Sequence, residues 1–475
     1  MNSSRSNSAM MAMTRVLVLA LASLAPSLSA AQAGATPSPQ PRLTLARVLA
    51  MADAHYPQIR IALEQQIGAR AEIAVARTAY LPRADMLWQT NRATANNIYG
   101  LLLPQGVIPP ISGPVLASDN TRSAWSSAGG TLLTWQPFDF GLRRAQVNAA
   151  REGAAAAAAG LNLTRLDVEF AAANAYLDLA TARQLVMTAQ ANVERLQVFA
   201  NAVHVLVDNQ LRAGADAAQA DAQLAVAHTQ FVEAQTNAAV RAAVLSDFLG
   251  IPSSAIDLDD SQLAESAPAD LPGTPAIAAH PEARQEAALV SQQQAELSAL
   301  AHSYAPQFNT EAALSGRGAG TSLNGIFPGG TNGLAPDTLN WAVGVQVTFP
   351  AFDIFSIRER KKVQQANVRA EQARYEQTVD DLSTQVQQAE AQLAGARQVA
   401  QNTPVELAAA RESEVQQRAR FQSGLATVVD VAAAESLLVQ AETDDAVARL
   451  NTWRSLAAVA AARGDLVPFL AQLAK

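Results

Sequence analysis

The stretch VEFAAANAYLDLATARQLVMTAQANVERLQVFANAVHVLVDNQLRAG, Val168 to Gly214, decides how the rest of the chain is read. Ala172, Leu179, Val186, Val193, Ala200 and Val207 recur every seventh residue, and Val168, Ala175, Ala182, Ala189, Leu196 and Val203 form a second row. Two such rows make the a and d seam of a coiled coil. The pattern extends back to Leu142 without a proline and with only Gly153 and Gly160 inside it, so one helix is expected over residues 142–212. At the rise of an α-helix it is about 105 Å long, far beyond the span of a small globular domain. Alanine at many seam positions lets partner helices approach closely, while Leu163, Leu166, Phe170 and Leu177 add apolar surface outside the seam. Such a helix needs neighbours on more than one side.

Composition narrows the function. The 475 residues are 49% hydrophobic but only 5% aromatic, with alanine making up the difference, and the formal net charge is -8. No basic field exists to neutralise phosphates, so nucleic-acid binding is set aside. The absence of cysteine removes disulfides, thiolate metal sites, a cysteine nucleophile and a cysteine-linked lipid anchor. His55, His204, His228, His280 and His302 are scattered without ligand spacing, no nucleophile elbow or phosphate loop occurs, and Gly316, Gly318 and Gly320 precede no helix. The chain therefore reads as a non-enzyme without cofactor or metal. At the amino terminus Arg5 and Arg15 precede an apolar run from Val16 to Leu24, and small residues follow from Ser29 to Ala33. This is the form of a cleavable secretory signal over residues 1–33, followed by a proline-rich leader over 34–42. No later apolar run reaches the ~18 residues of a membrane helix. Any membrane entry must use strands.

Taken in order, residues 43–250 form a first repeat. It comprises helices over 43–80 broken at Pro57, strands over 83–100 and 121–138 around an apolar loop from Leu101 to Pro114, the long helix, and a return helix over 217–249. A linker over 251–275, rich in Pro, Ser and Asp, leads to a second repeat over 276–463. That repeat has a helix over 281–304, strands over 307–320 and 338–352, a long helix over 357–422 and a return helix over 426–463, and a tail spans 464–475. Pro404 is expected to kink or interrupt the second long helix. A shift of 224 residues sets Pro57 on Pro281, Arg60 on Arg284, Tyr80 on Tyr304 and Pro82 on Pro306, and a shift of 214 sets Phe138-Asp139 on Phe352-Asp353 and Arg144 on Arg358. An internal duplication explains both. Trp341, Val343, Val345, Val347 and Phe349 alternate with Ala342, Gly344, Gln346 and Thr348, giving a strand with one apolar face. Four strands leave edges whose N–H and C=O groups cannot sit unpaired in lipid, and a closed barrel needs about eight strands or more. Two or more copies must then share one barrel, with Trp88, Trp125, Trp135 and Trp341 suited to interfacial girdles.

This ordered set resembles the outer-membrane efflux protein family, the TolC-like channels. The resemblance rests on the signal, the duplication, the order of elements, the opening Thr44-Leu45, the ends Tyr80-Leu81-Pro82 and Tyr304-Ala305-Pro306, and the segment Phe421 to Val431. It implies a mainly α fold with a β-barrel segment, in which a homotrimer forms a twelve-stranded outer-membrane barrel continuous with a long periplasmic α-helical barrel. It further implies an exit duct of a tripartite efflux or type I secretion system, working with a periplasmic adaptor protein and an inner-membrane pump and surrounded by outer-membrane lipid. The Asn-Pro that the family carries early in each repeat is here Tyr56-Pro57 and His280-Pro281. A periplasmic coiled-coil adaptor or scaffold without a barrel is the alternative, but it needs neither the alternating strands nor the duplicated hairpin.

The two tips follow from local rules. Gly214 and Gly424 stand where each long helix must reverse, places for a left-handed cap, and Asp216-x-x-Gln219 and Thr427-x-x-Asp430 each have the spacing of a capping box. The resemblance implies that copies of Asp430 line a periplasmic aperture, where a ring of carboxylates favours cations. Where a second acidic ring is often found, this chain has Ala433, with Ala220 at the matching first-repeat position and Asp221 one residue later.

Overall fold

A computed structural model describes residues 42–94, 122–259, 263, 270–273, 276–321, 326, 328–349 and 351–473. The expected signal, nearly all of the leader and the loop from Leu101 to Pro114 lie outside the described residues. The account below concerns the unit that begins at Leu43.

The long helix of the first repeat, α3, runs Leu142–Asp208 and is preceded by α1 (Leu45–His55), α2 (Pro57–Thr78), β1 (Arg83–Thr94) and β2 (Ser123–Phe138). It is followed by α4 (Gly214–Leu249), α5 (Pro281–His302), β3 (Gln307–Ala319), β4 (Thr338–Thr348), α6 (Ile354–Gln422), α7 (Val428–Ala462) and α8 (Val467–Leu473). Val168, Ala172, Ala175, Leu179, Ala182, Leu196, Ala200 and Val203 of the two seam rows are buried, as are Ala173, Tyr176, Leu177 and Ala180 beside them. That second set gives α3 its neighbours on several sides: α1, α2 and α4 of its own repeat, and α5 and α7 of the next. In the second repeat α6 packs on α5 and α7. Each long helix is thus accompanied by shorter ones. α3 buries 22 residues and α6 ten, so α3 is the interior helix while α6 leaves a face uncovered.

Three expectations are corrected here. First, α6 continues through Pro404. Thr403 is buried and its hydroxyl donates to Asp445 Oδ1 of α7 at 3.3 Å, and Ala410 packs with Leu438 and Ala441 just beyond. Contacts on both sides of the missing backbone bond hold the helical course. Second, the segment read as a linker is fastened to the core. The Leu43 N–H donates to Asp257 O at 2.7 Å, the Asp259 N–H donates to Leu43 O at 3.0 Å, and Ile256, Leu258, Leu263 and Leu271 are buried with Leu45, Val48 and Leu49. Third, the tail contains α8, whose Phe469 is fully buried and meets Trp453 edge-on with centroids 6.2 Å apart.

The strands form one antiparallel sheet in the order β1-β2-β3-β4, so the second hairpin joins the first through β2 and β3. β1 and β4 have no further partner among the described residues. β1 ends at Thr94, with residues 95–100 of the expected strand outside the described residues, and β4 ends at Thr348 rather than 352.

Candidate functional site

Two places offer function: the sheet and the helical tips. In an antiparallel sheet directly opposed residues share a face. The register Leu133↔Ala312↔Val343, with Leu314↔Trp341 and Trp88↔Gly129, gathers Trp88, Leu133, Trp135, Leu314, Leu339, Trp341, Val343, Val345 and Val347 on one side. The other side carries Asp85, Gln89, Asn91, Thr134, Asn309, Glu311, Ser315, Asn340 and Gln346, with Leu87 and Leu132 among them. The apolar side is open: Trp341 is 78% exposed, Val343 73% and Val345 71%. A soluble sheet hides such a face, whereas a barrel wall in lipid presents it outward and turns its polar face to the lumen. Among the described residues no helix is long and apolar enough to cross a membrane.

The tryptophans divide. Trp125 and Trp135 lie on the same face of β2, ten residues apart, which is about 33 Å along a strand and about 25 Å once the strand tilts, the height of a barrel's apolar band. That is the spacing expected of residues at the two girdles of such a band. Trp88 and Trp341 fall between them in the register. At Gly129 a Cβ would stand 2.7 Å from Trp88 Cε3, so the missing side chain lets that indole lie across the sheet.

Below the sheet, Arg143 fastens strands to helices. It is buried, its Nε donates to Asp139 Oδ2 at 2.8 Å, its Nη1 donates to Ala79 O at 3.1 Å, and its guanidinium lies 4.7 Å from the Tyr80 ring centroid. Burial pushes the Asp139 carboxyl up, but bonds from the Arg143 N–H and guanidinium and the Gly141 N–H outweigh it and hold the group below the usual carboxylate value.

At the second tip, Gly424 is left-handed with φ 74°, and the Leu425 N–H closes the helix end on Arg420 O at 2.8 Å. Thr427 caps α7 with a full capping box. The Asp430 N–H donates to Thr427 Oγ1 at 3.3 Å, while Asp430 Oδ2 accepts from the Thr427 N–H at 2.8 Å and its hydroxyl at 2.7 Å. Those bonds, the backbone one foremost, lower the Asp430 pKa and keep an exposed anion at the tip.

The first tip departs from expectation. The left-handed residue is Gln210, with φ 62°, and Asn209 is the helix cap; Gly214 is instead the first residue of α4. Because α4 begins three residues earlier than expected, Asp216 lies inside its first turn behind the cap Ala213, and no capping box with Gln219 forms. Asp216 approaches Arg212 at 3.9 Å. Arg212, which sequence reasoning missed, joins the tips: its Nη2 donates to Phe421 O and Ala426 O, each at 3.3 Å, and it lies 4.6 Å from the Phe421 ring centroid. Gly424, Thr427, Asp430, Gly214 and Asp216 thus cluster around one apolar knot of Phe199, Val203, Ala217, Phe421, Val428 and Val431. Ala220 is buried in that knot, which leaves no room for an acid there. Asp221 faces His204 at 2.9 Å, and this hydrogen bond raises the histidine pKa. One turn further from the tip, Glu435 is 2% exposed and receives Arg418 of α6 and, at 3.3 Å, Arg195 of α3. No group of His and acidic residues able to hold a metal occurs among the described residues.

A model of the outer membrane efflux protein family matches residues 48–251 and 274–465. No curated protein matches the chain. Among solved structures, the CmeC outer membrane channel of Campylobacter jejuni superposes with a TM-score of 0.72 at 17% identity, covering 88% of this chain and 85% of that one. The open state of the MtrE outer membrane channel of Neisseria gonorrhoeae gives 0.71 at 19%, covering 89% of each. The outer-membrane channel OprN gives 0.68 at 20%, covering 88% and 89%.

Proposed function

Because this chain belongs to the outer membrane efflux protein family, it is a subunit of an outer-membrane efflux channel with a large periplasmic helical portion, and we propose that three copies close one barrel. The observation that carries the proposal is the four-stranded sheet with an exposed apolar face and two edges that find no partner among the described residues. β4 of one copy meets β1 of the next, so every edge group finds a backbone partner and the apolar faces join into a continuous band. A coiled-coil scaffold without a barrel has no use for such a sheet. The uncovered face of α6 is then available to a neighbouring copy, which extends the barrel into a helical tunnel. Its tips, carrying Arg212, Thr427 and Asp430, are the surface offered to a periplasmic adaptor and an inner-membrane pump.

In the trimer, three Asp430 carboxylates face one axis and the aperture favours cations. Conductance in planar bilayers tests this directly. Asp430→Ala is expected to lower the cation-to-anion permeability ratio while the channel still inserts as a trimer; an unchanged ratio would remove Asp430 from the aperture.

A further inference from the structure

Just behind the apolar knot that joins the two tips, three helices bring charged side chains together. Glu435 of α7 and Glu414 of α6 are 2% and 8% exposed, so both carboxyls are nearly shut off from water. Both reach one guanidinium: Arg418 of α6 places its Nε 2.6 Å from Glu414 Oε1 and donates to Glu435 Oε1 through its Nη2. Arg195 of α3 closes the other side, its Nε donating to Glu435 Oε2 at 3.3 Å and its Nη2 to Glu442 Oε2 of α7 at 3.0 Å. Arg195 stands one turn before Phe199 and Arg418 three residues before Phe421, and both phenylalanines belong to the knot. Whatever holds this network together holds the second tip on the first.

The charges do not balance. The carboxylates of Glu414, Glu435 and Glu442 face the guanidinium groups of Arg195 and Arg418, so the fully ionised network carries an excess negative charge where water barely reaches. Two carboxylates on one cation repel when both are ionised, and a proton held between them removes the excess. Glu414 and Glu435 lie within hydrogen-bonding reach of each other, and two carboxyls can bond only if one carries a proton. Burial first, then the charge of Glu414, pushes the Glu435 carboxyl above the usual glutamate value, which Arg418 and Arg195 only partly offset.

We propose that Glu414 and Glu435 share one proton, taken from water, and that this proton clamps α6 and α7 to α3 behind the tips. With it the network is neutral and the second tip is held against the first; without it the two carboxylates repel across Arg418 and the hold loosens. The folded value is raised above the unfolded 4.5, so the contribution is fully present below 4.5 and is lost as pH rises through the folded value. The clamp is tight in acid and slackens toward alkali. Asp430 is shifted the other way, so it titrates in a separate, lower range. The shared proton stands on the geometry of a single chain, and its effect on the aperture rests on the channel reading above.

Difference infrared spectroscopy of the full-length protein across a pH titration reads the carbonyl stretch of neutral carboxyl groups. The wild type is expected to lose one such group per chain above the ordinary glutamate range, and this loss should be missing from both Glu414→Gln and Glu435→Gln, whose amide hydrogens take the place of the proton. Asp167, Glu169 and Glu286 are also raised and should titrate unchanged in every variant. Glu442→Gln keeps the pair, relieves the excess charge from the far side of Arg195 and should shift the midpoint down. A titration that survives in Glu414→Gln, or a wild type without it, would overturn the shared proton. In planar bilayers, conductance of the wild type should rise as pH is raised through the same range and that of Glu414→Gln should stay flat. A rise that persists in the variant would overturn the clamp but not the pair. Proteins that form no channel at all would overturn the channel reading and the clamp with it, and the infrared titration would still decide the pair.

Discussion

Asp430 has a structural duty whatever else it does: through Thr427 it ends the reversal at the second tip. Thr427→Ala removes the hydroxyl that caps the helix and should cost about 1 kcal/mol in chemical denaturation. The Asp430 pKa is lowered in the fold, so its contribution is present above the unfolded value of 3.8 and is lost as pH falls through the lower folded value. The cap is therefore intact across the neutral range. His204 has the opposite sign. Its pKa is raised by the bond to Asp221, so the pair contributes fully below 6.5 and is lost as pH rises through the folded value. A titration of the His204 ring by NMR should place its midpoint above 6.5, and Asp221→Asn should bring it down. Glu435 is the most deeply buried acid among the described residues. Burial, followed by the charge of Glu414, raises its pKa against Arg418 and Arg195. Glu435→Ala removes the carboxylate shared between α3, α6 and α7, but Arg195 keeps Glu442 at 3.0 Å and Arg418 keeps Glu414 at 2.6 Å, so the change should cost about 1–3 kcal/mol in the same denaturation assay. The spacing of Thr427 and Asp430 made their cap legible in the sequence. The role of Glu435 was not, because its partners lie 240 and 17 residues away.

At the scale of elements, Pro404 poses the sharpest question. α6 runs through it, at the expense of the bond its nitrogen cannot donate. Pro404→Ala should therefore stabilise α6, by roughly 3 kcal/mol at most, read as a rise in the thermal midpoint followed by far-ultraviolet circular dichroism. An unchanged or lower midpoint would mean that the ring packs usefully where it stands. The other misreadings share a cause. Local propensity weighs Pro, Ser and Asp as loop formers, but Ile256, Leu258, Leu263 and Leu271 occur singly among them, and single apolar residues acquire meaning only when a core is present to receive them. The same holds for α8: seven residues are too short to signal a helix alone, and Phe469 is held by Trp453. Gly214 shows the converse. Glycine permits a left-handed turn without requiring one, and here the turn falls at Gln210.

For the whole molecule, the open edges of β1 and β4 lead to one further expectation: the protein extracted from outer membranes should have a detergent-corrected mass of three chains, and a mass of one or two would remove the shared barrel. Much of this architecture was determined by the sequence alone. A heptad seam, a strict alternation of strand residues and a repeat offset are periodic signals, and a period specifies secondary structure and its buried face before any contact is made. They were enough for the duplicated hairpins, the apolar and polar faces of β4 and the reversal at Gly424. Only the tertiary structure decided which residues meet across distant helices: Arg212 on the second tip, Glu435 between two arginines, and Arg143 under Tyr80. The physical reason is that such pairings depend on the relative height and rotation of long helices. A shift of a few ångströms or a few tens of degrees exchanges one partner for another without altering any local pattern.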